Sequence, residues 1–179
     1  MADMFLSLRN KGNKQIVHGE SLDQAEPQSH RAEIEIHNWT WQVQNTADAQ
    51  AGKSTSKLNA NNIIIFKHCD ASSKGILQYC AHGTTFDKAK ITCRKHFGEE
   101  RFEYLYIHLE NVKIHEIDWT GVDEGLVKEK VTLEFGKFQL RYRAQANKEE
   151  DWDAGTFEFG WDIQKNEETH LDEDSTDVF

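Results

Sequence analysis

Cysteine and histidine residues, which carry the thiol and imidazole groups that bind zinc, lie close together at three places in the chain. These places are His68-Cys69, Cys80-x-His82 and Cys93-x-x-His96. Cys93 and His96 are three residues apart in a predicted strand, so their side chains point to opposite faces. Cys80 lies on the apolar stripe of a predicted helix, and His82 points about 200° away from it around the helix axis. The spacing indicates structural thiols and surface histidines, and it predicts neither a metal site nor a cysteine nucleophile.

Two further segments resemble parts of ligand-binding loops. Residues 51–55 read Ala-Gly-Lys-Ser-Thr, like the end of a phosphate-binding loop. The full motif needs a second glycine five positions before Gly52, where this chain has Ala47, and no helical pattern follows. Residues 151–155 resemble the start of a calcium loop, but Thr156 stands where that loop requires glycine. No pair of carboxylates is singled out by its spacing, so we predict no catalytic residue, no cofactor and no metal.

Length and charge restrict the class of protein. The chain has 179 residues, enough for one domain with a substantial core. Its longest aliphatic run is Ile63-Ile64-Ile65, so we predict no membrane insertion. Of the 31 acidic residues, 12 lie in residues 149–179 beside a single base, Lys165, and residues 1–148 carry a net charge of +1. A nearly neutral body does not favour nucleic-acid binding.

The acidic residues also suggest a domain boundary. We predict a domain over residues 1–166 and an acidic, disordered tail over residues 167–179, because the tail has too few apolar residues to offset its own ordering. The alternative is that this tail binds a basic partner.

Many short segments of alternating polarity predict an antiparallel β-barrel or two-sheet sandwich with one short helix. The helix is predicted over residues 73–82, with Ser72 or Ser73 as its N-cap and Gly83 at its end. Its apolar stripe is predicted to consist of Ile76, Leu77, Cys80 and Ala81.

Two changes in alternation and one regular strand complete this pattern. The change near His37 and Asn38 indicates a β-bulge, and the change at Gly136 indicates a bent strand or a tight corner. A final half-buried strand is predicted from the apolar residues Phe157, Phe159, Trp161 and Ile163, with Trp161 in the core.

Both faces of the strand predicted over residues 102–109 are apolar. Phe102, Tyr104 and Tyr106 share one face, whereas Leu105, Ile107 and Leu109 share the other. One face can fill a barrel, and the other needs a cover from the same chain or from a neighbouring subunit. This surplus of apolar strand surface favours self-assembly.

The order of these elements resembles the haemolysin-coregulated protein (Hcp) family, over residues 3–166. Around the helix the resemblance is carried by Phe66, Lys67, Asp70, Ser73, Cys80, Ala81 and Gly83. The strands after the helix contribute Ala89, Ile91, Thr92, Arg94, Glu103, Tyr104, Leu105, Leu109, Val112 and Ile114. The two ends contribute Met4-Phe5-Leu6, Gly19-Glu20-Ser21, His30, Glu33-Ile34-Glu35-Ile36, Trp39, Trp41, Glu129, Val131, Leu133, Phe135, Lys137, Tyr142, Gln145, Gly160-Trp161-Asp162 and Asn166.

The resemblance implies a structural role without catalysis. Hcp-like chains form a β-barrel capped by a helix, six of them close into a ring, and rings stack into the inner tube of the type VI secretion system. The lumen carries or chaperones effector proteins, and the other implied partners are the spike protein, the sheath and the baseplate. An extended loop, here residues 45–61, is expected to reach the next ring. We predict subunit contacts through Phe102, Tyr104, Tyr106, Lys53, Ser54 and Lys57.

Two other functions stay open. The chain could be a monomeric β-barrel enzyme or ligand-binding protein with a site scattered along the sequence, or an Hcp-like adaptor that binds one effector without polymerising. The N-terminus lacks the pattern of a signal peptide and the chain has three cysteines. We therefore expect synthesis in a bacterial cytoplasm, free thiols, and export by type VI secretion to the extracellular space or a target cell.

Overall fold

The structure, a computed structural model, describes residues 3–24, 29–45, 57–97, 100–121, 125–144 and 155–171. Within these residues one helix, α1 (Ala71–His82), interrupts a series of twelve strands. Before the helix lie β1 (Asp3–Arg9), β2 (Ile34–Glu35), β3 (Asn38–Thr40), β4 (Val43–Asn45), β5 (Leu58–Ala60) and β6 (Ile63–His68). After it follow β7 (Thr85–Phe97), β8 (Glu100–Gly121), β9 (Val127–Glu134), β10 (Lys137–Arg143), β11 (Thr156–Asp162) and β12 (Glu167–Glu168).

Ten of the strands form one antiparallel sheet, in which β8 is the central element. The first part of β8 pairs with β7 and β10, and its second part pairs with β9. On one side of the first part of β8 the strand order is β10-β11-β12, and on its other side it is β7-β1-β2. Next to the second part of β8 the order is β9-β6-β3. The described strands leave this sheet open, and β4 and β5 form a separate ribbon. The predicted fold class, mainly antiparallel β with one short helix, is confirmed.

The core lies on one face of this curved sheet. The strand register places Leu6 of β1 beside Ile91 of β7 and Ile91 beside Ile107 of β8, and all three side chains are buried. Ile63 and Ile65 of β6 close the core from the other part of the sheet. Ile76 is the buried apolar residue that α1 contributes. The chain thus buries a continuous apolar core, the dominant favourable term in its folding.

Helix α1 begins earlier than predicted because its N-cap is Asp70, not Ser72 or Ser73. The Asp70 carboxylate accepts a hydrogen bond from the Ser72 amide, and the Ser73 hydroxyl accepts one from the Asp70 amide, which together form a capping box. Gly83 ends the helix in the left-handed conformation with a φ of 62°, as predicted.

The predicted apolar stripe of α1 was largely wrong. Leu77 and Ala81 are exposed, whereas the buried residues are Ser72, Ser73 and Ile76. The first turn of the helix is its buried part, and there the Ser73 hydroxyl contacts Lys67 of β6 and Glu129 of β9. An apolar periodicity cannot reveal such a polar contact.

The two predicted changes in alternation are breaks between strands. At His37 the chain passes from β2, which pairs with β1, to β3, which pairs with β6, and the His37 amide donates to the Phe66 carbonyl. The predicted bulge is therefore a transfer of the chain from one part of the sheet to another. At Gly136 the chain bends from β9 into β10 while both strands stay paired with β8 in the same register, Glu134 with Lys113 and Lys137 with Glu110, so the bent strand is the one of the two predicted arrangements that occurs.

Strand β11 differs from its prediction in the burial of its aromatic residues. Phe157 and Phe159 are exposed and Trp161 is half-buried, packed at the margin of the core. The strand lies near the sheet margin, and the described part of the chain leaves these two phenylalanines uncovered. Alternation correctly places them on one face, but it does not determine whether that face is covered.

The chain remains part of the fold beyond Asn166, the predicted end of the domain. β12 pairs with β11, and Leu171 is buried. The rest of the predicted tail, residues 172–179, lies outside the described residues, as do residues 46–56 of the predicted loop over residues 45–61.

Candidate functional site

A buried lysine beneath the first turn of α1 forms the arrangement that most resembles a catalytic site. The Lys67 Nζ atom lies 2.8 Å from the Glu129 carboxylate, 2.8 Å from that of Asp70 and 3.1 Å from the Ser73 hydroxyl. A lysine beside a serine hydroxyl can act as a general base. Here the side chains of Lys67 and Glu129 are both 0 % exposed, Ser73 is buried, and its hydroxyl donates to Glu129. The cluster joins the helix to the sheet.

A second buried network is built around His30, on the polar face of the sheet. The imidazole Nδ1 lies 2.8 Å from the Glu33 carboxylate and Nε2 lies 2.7 Å from that of Glu103, while the ring stacks on Phe5 at 4.1 Å. Burial alone would lower the pKa of His30, but the hydrogen bonds to Glu103 and Glu33 outweigh it and raise the pKa to about 9. His30 is therefore a buried cation at neutral pH.

Arg94 extends this network along the same face. Its guanidinium donates to the carboxylates of Asp3 and Asp23, at 2.8 and 2.9 Å. Burial acts to raise the pKa of Asp23, but the Arg94 hydrogen bond more than compensates and the pKa is lowered. Asp23 and His30 belong to the loop after β1, so these ion pairs hold that loop over the sheet. The loop therefore covers the part of the polar face around His30 and Arg94.

A small cleft lies beside the helix, with a volume of about 240 Å³. Its walls include two histidines, His37 and His68, whose rings are 4.2 Å apart and tilted by 60°. The remaining lining residues are Glu20, Ser21, Glu35, Cys69, Asp70 and Leu126. Burial, together with the charge of His68, lowers the pKa of His37. Within the described residues no three histidine, cysteine or acidic side chains are placed to hold a metal.

The cysteines lie in different environments and are free thiols in the structure. Cys69 is exposed at the cleft, whereas Cys93 is buried in β7. Burial raises the pKa of the Cys93 thiol, which makes it a poor nucleophile. Among the described residues, no helix is both long and apolar enough to cross a membrane.

The predicted interface residues do not share one surface. Phe102 and Tyr106 are buried within the chain, and the Tyr106 hydroxyl donates to Glu103 at 3.0 Å. Tyr104 is partly exposed, with the Lys95 ammonium 4.1 Å from its ring centre. Lys57 is exposed next to β5. Lys53 and Ser54 lie outside the described residues, and the assignment of all six to an interface stays a prediction.

The exposed residues instead form an aromatic surface, defined here as Tyr104, Tyr142, Phe157 and Phe159. Tyr142 pairs with Phe157 across β10 and β11, and its ring lies 6.3 Å from that of Tyr104. Tyr142, Phe157 and Phe159 are 37, 62 and 43 % exposed. This surface continues the apolar face of the core beyond the part that the described chain covers. Contiguous apolar patches of this kind are typical of protein interaction sites.

Comparison with known proteins gives the class of protein to which this antiparallel fold belongs. The family model described as "Type VI secretion system effector, Hcp" matches residues 5–142. The protein hcp1 of Pseudomonas aeruginosa is 30 % identical over 167 residues, which cover 92 % of this chain and 96 % of that protein.

Solved structures agree with this match. The crystal structure of Hcp1 from Salmonella typhimurium superposes with a TM-score of 0.73 at 26 % identity, over 94 % of this chain and 99 % of that one. A type VI secretion system effector from Yersinia pestis shares the fold, with a TM-score of 0.69 at 24 % identity, over 90 % of this chain and all of that one. The chain belongs to the Hcp family, the tube proteins of type VI secretion.

Proposed function

We propose that this chain is the tube subunit of a type VI secretion system, in which six copies close into a ring and rings stack into a tube. The observation that carries the proposal is the aromatic surface, Tyr104, Tyr142, Phe157 and Phe159, on the open sheet of an Hcp-family chain. Exposed phenylalanine side chains gain free energy when a partner covers them, by roughly 25 cal/mol for each Å² of apolar area buried. A second copy is the partner most available to a self-assembling protein.

Ring closure requires a particular kind of contact. The surface on one subunit must meet a different surface on the next, because a head-to-tail contact closes into a ring when its rotation allows. The aromatic surface lies at the β11 side of the sheet, far along the strand order from β1 and β2. A contact between these two sides of neighbouring subunits is of the head-to-tail kind.

The remaining parts of the proposal rest on family membership. The ring carries or chaperones effector proteins in its lumen, and the stacked tube contacts the spike protein, the sheath and the baseplate. Residues 45–61, with Lys53, Ser54 and Lys57, contact the adjacent ring. The chain performs no catalysis, a role consistent with the burial of Lys67, Glu129 and Ser73.

The aromatic surface is tested by removing two of its rings. In light scattering we expect the purified chain to have the mass of a ring of six subunits, each of 20.7 kDa. We expect the double variant Phe157→Ser/Phe159→Ser to have the mass of a folded monomer. The matched control is Leu22→Ser, because Leu22 is 81 % exposed but lies in the loop after β1. That control should still form rings.

Two outcomes would separate the parts of this proposal. Rings that persist in the double variant would exclude the aromatic surface as the contact and leave the ring itself in place. A wild-type chain that stays monomeric at micromolar concentrations would instead favour an adaptor that does not polymerise.

A further inference from the structure

Two histidines are in contact where the chain passes from one part of the sheet to the other. His37 lies between β2 and β3, and His68 is the last residue of β6. Their ring centres are 4.2 Å apart, so the imidazoles touch. The Nδ1 atom of His68 is buried and has no hydrogen-bond partner among the described residues. His37 itself is exposed, so protons from solvent reach this pair.

The strand that follows His37 is held by few hydrogen bonds. β3 has three residues and pairs with β6, whereas β6 pairs with β9 along all six of its residues. The His37 amide donates to the Phe66 carbonyl of β6 at 2.8 Å. On the other side of the junction, the Ile36 amide donates to the Met4 carbonyl of β1 at 3.0 Å. These two neighbouring amides therefore report on different parts of the sheet.

The charged groups around the two rings come from several elements. The carboxylates are those of Glu20, Glu35 and Asp70, which line the cleft, and of Glu129, which binds Lys67. The cations are Lys67, next to His68 in β6, and Lys128, which pairs with His68 across β9. The Cys69 thiol lines the cleft as well. Of these groups, Glu35 favours a charged His37, whereas Lys67 opposes it.

We propose that His37 and His68 form an acid-sensitive junction, which releases β3 from β6 when both imidazoles are protonated. Two like charges in contact repel each other. A proton on His68 Nδ1 would also place a buried N–H where the described residues offer no acceptor. Release of β3 separates the two rings, because His37 directly precedes β3. It also leaves one edge of β6 unpaired, and another strand can add to such an edge.

The pH range of the junction follows from the direction of the pKa shift of His37. Burial and the charge of His68 lower this pKa from 6.5, and Glu35 does not offset them. The released form therefore binds the proton more tightly than the closed form does. The junction is at full strength above pH 6.5, and it weakens as pH falls below 6.5 through the lowered pKa of His37.

Hydrogen exchange of the full chain, resolved to single amides by mass spectrometry, tests the proposal. Exchange rates at pH 7.5 and pH 5 are converted to protection factors, which removes the intrinsic effect of pH on exchange. We expect the protection of the His37 amide to fall at least several-fold at pH 5. The protection of the Ile36 amide should stay unchanged, because β2 remains paired with β1.

Two variants each remove one imidazole of the pair. In His37→Gln and in His68→Gln, the protection of the amide at residue 37 should no longer depend on pH. His37 is exposed, so His37→Gln keeps the fold even if His68→Gln does not. The matched control is His115→Gln, a change of an exposed histidine on β8. This control should show the same fall in protection as the wild type.

Three results would overturn the proposal. The first is equal protection of the His37 amide at both pH values. The second is a fall that persists in His37→Gln, because it would assign the effect to the carboxylates of the cleft. The third is an equal fall at the Ile36 amide, which would indicate general unfolding in acid rather than release of β3.

Discussion

At the scale of single residues, the buried cation His30 is the most specific feature of the subunit. It is bound by Glu33, three residues away, and by Glu103, on the first part of β8. The two carboxylates keep the imidazole protonated inside the protein, and the ring stacks on Phe5. His30 therefore joins the loop after β1 to the sheet through a charge.

This arrangement predicts a loss of stability in alkaline solution. The pKa of His30 is raised from 6.5 to about 9, so its contribution is complete below pH 6.5 and disappears as pH rises through about 9. The shift corresponds to about 3 kcal/mol, since each pKa unit is worth about 1.4 kcal/mol. Urea unfolding at pH 6 and pH 9.5 measures the difference, with His30→Gln as the control. A wild-type pH dependence equal to that of His30→Gln would contradict the prediction.

In the sequence analysis His30 was singled out only by the family resemblance, and its role as a buried cation was not predicted. Its partner Glu103 is distant in the sequence, and no periodicity links a loop histidine to a strand carboxylate. The predicted interface residues show the same limit. Phe102 and Tyr106 were expected on one strand face, but alternation does not reveal that both side chains are buried within the chain.

At the scale of elements, the first turn of α1 is joined to β6 and β9 by the ion cluster of Lys67, Glu129 and Asp70. The helix contributes its polar first turn, so charge rather than apolar area fixes its position at that end. A buried cation between two carboxylates is costly to form, but it is much more costly to break by removing one partner.

We therefore expect Lys67→Met to destabilise the fold by about 3–5 kcal/mol, because Glu129 would remain buried without its cation. The double variant Lys67→Met/Glu129→Leu removes both charges and should recover part of that loss. Denaturant unfolding of the wild type and the two variants, with Lys74→Met on the exposed helix surface as the control, measures the free energies. A double variant less stable than Lys67→Met would contradict this account.

The elements themselves were largely predictable. Alternating polarity defined most strands, and the short helix ended at Gly83 because glycine adopts the left-handed conformation without strain. Its start was missed because Asp70, Ser72 and Ser73 are all good N-caps, and the capping box between Asp70 and Ser73 became visible only in the structure. The break at His37 looked like a bulge because a transfer between two parts of a sheet changes the alternation in the same way.

At the scale of the whole molecule, the described residues form a continuous core and leave the aromatic surface exposed on an open sheet. The loop after β1 covers the polar face around His30 and Arg94, whereas Phe157 and Phe159 are exposed. The sequence analysis predicted self-assembly with contacts that include Phe102, Tyr104 and Tyr106, and that assignment stays a prediction. Which aromatic side chains are left uncovered follows from packing between distant segments, and only the structure shows this.

Negative-stain electron microscopy of the purified full chain tests the central claim most directly, because it displays the assembly without any variant or partner. We predict uniform rings with six-fold symmetry in class averages at micromolar concentration, without an added cofactor. A field of small particles the size of a single subunit, or rings with a different symmetry, would contradict the assembly proposed here.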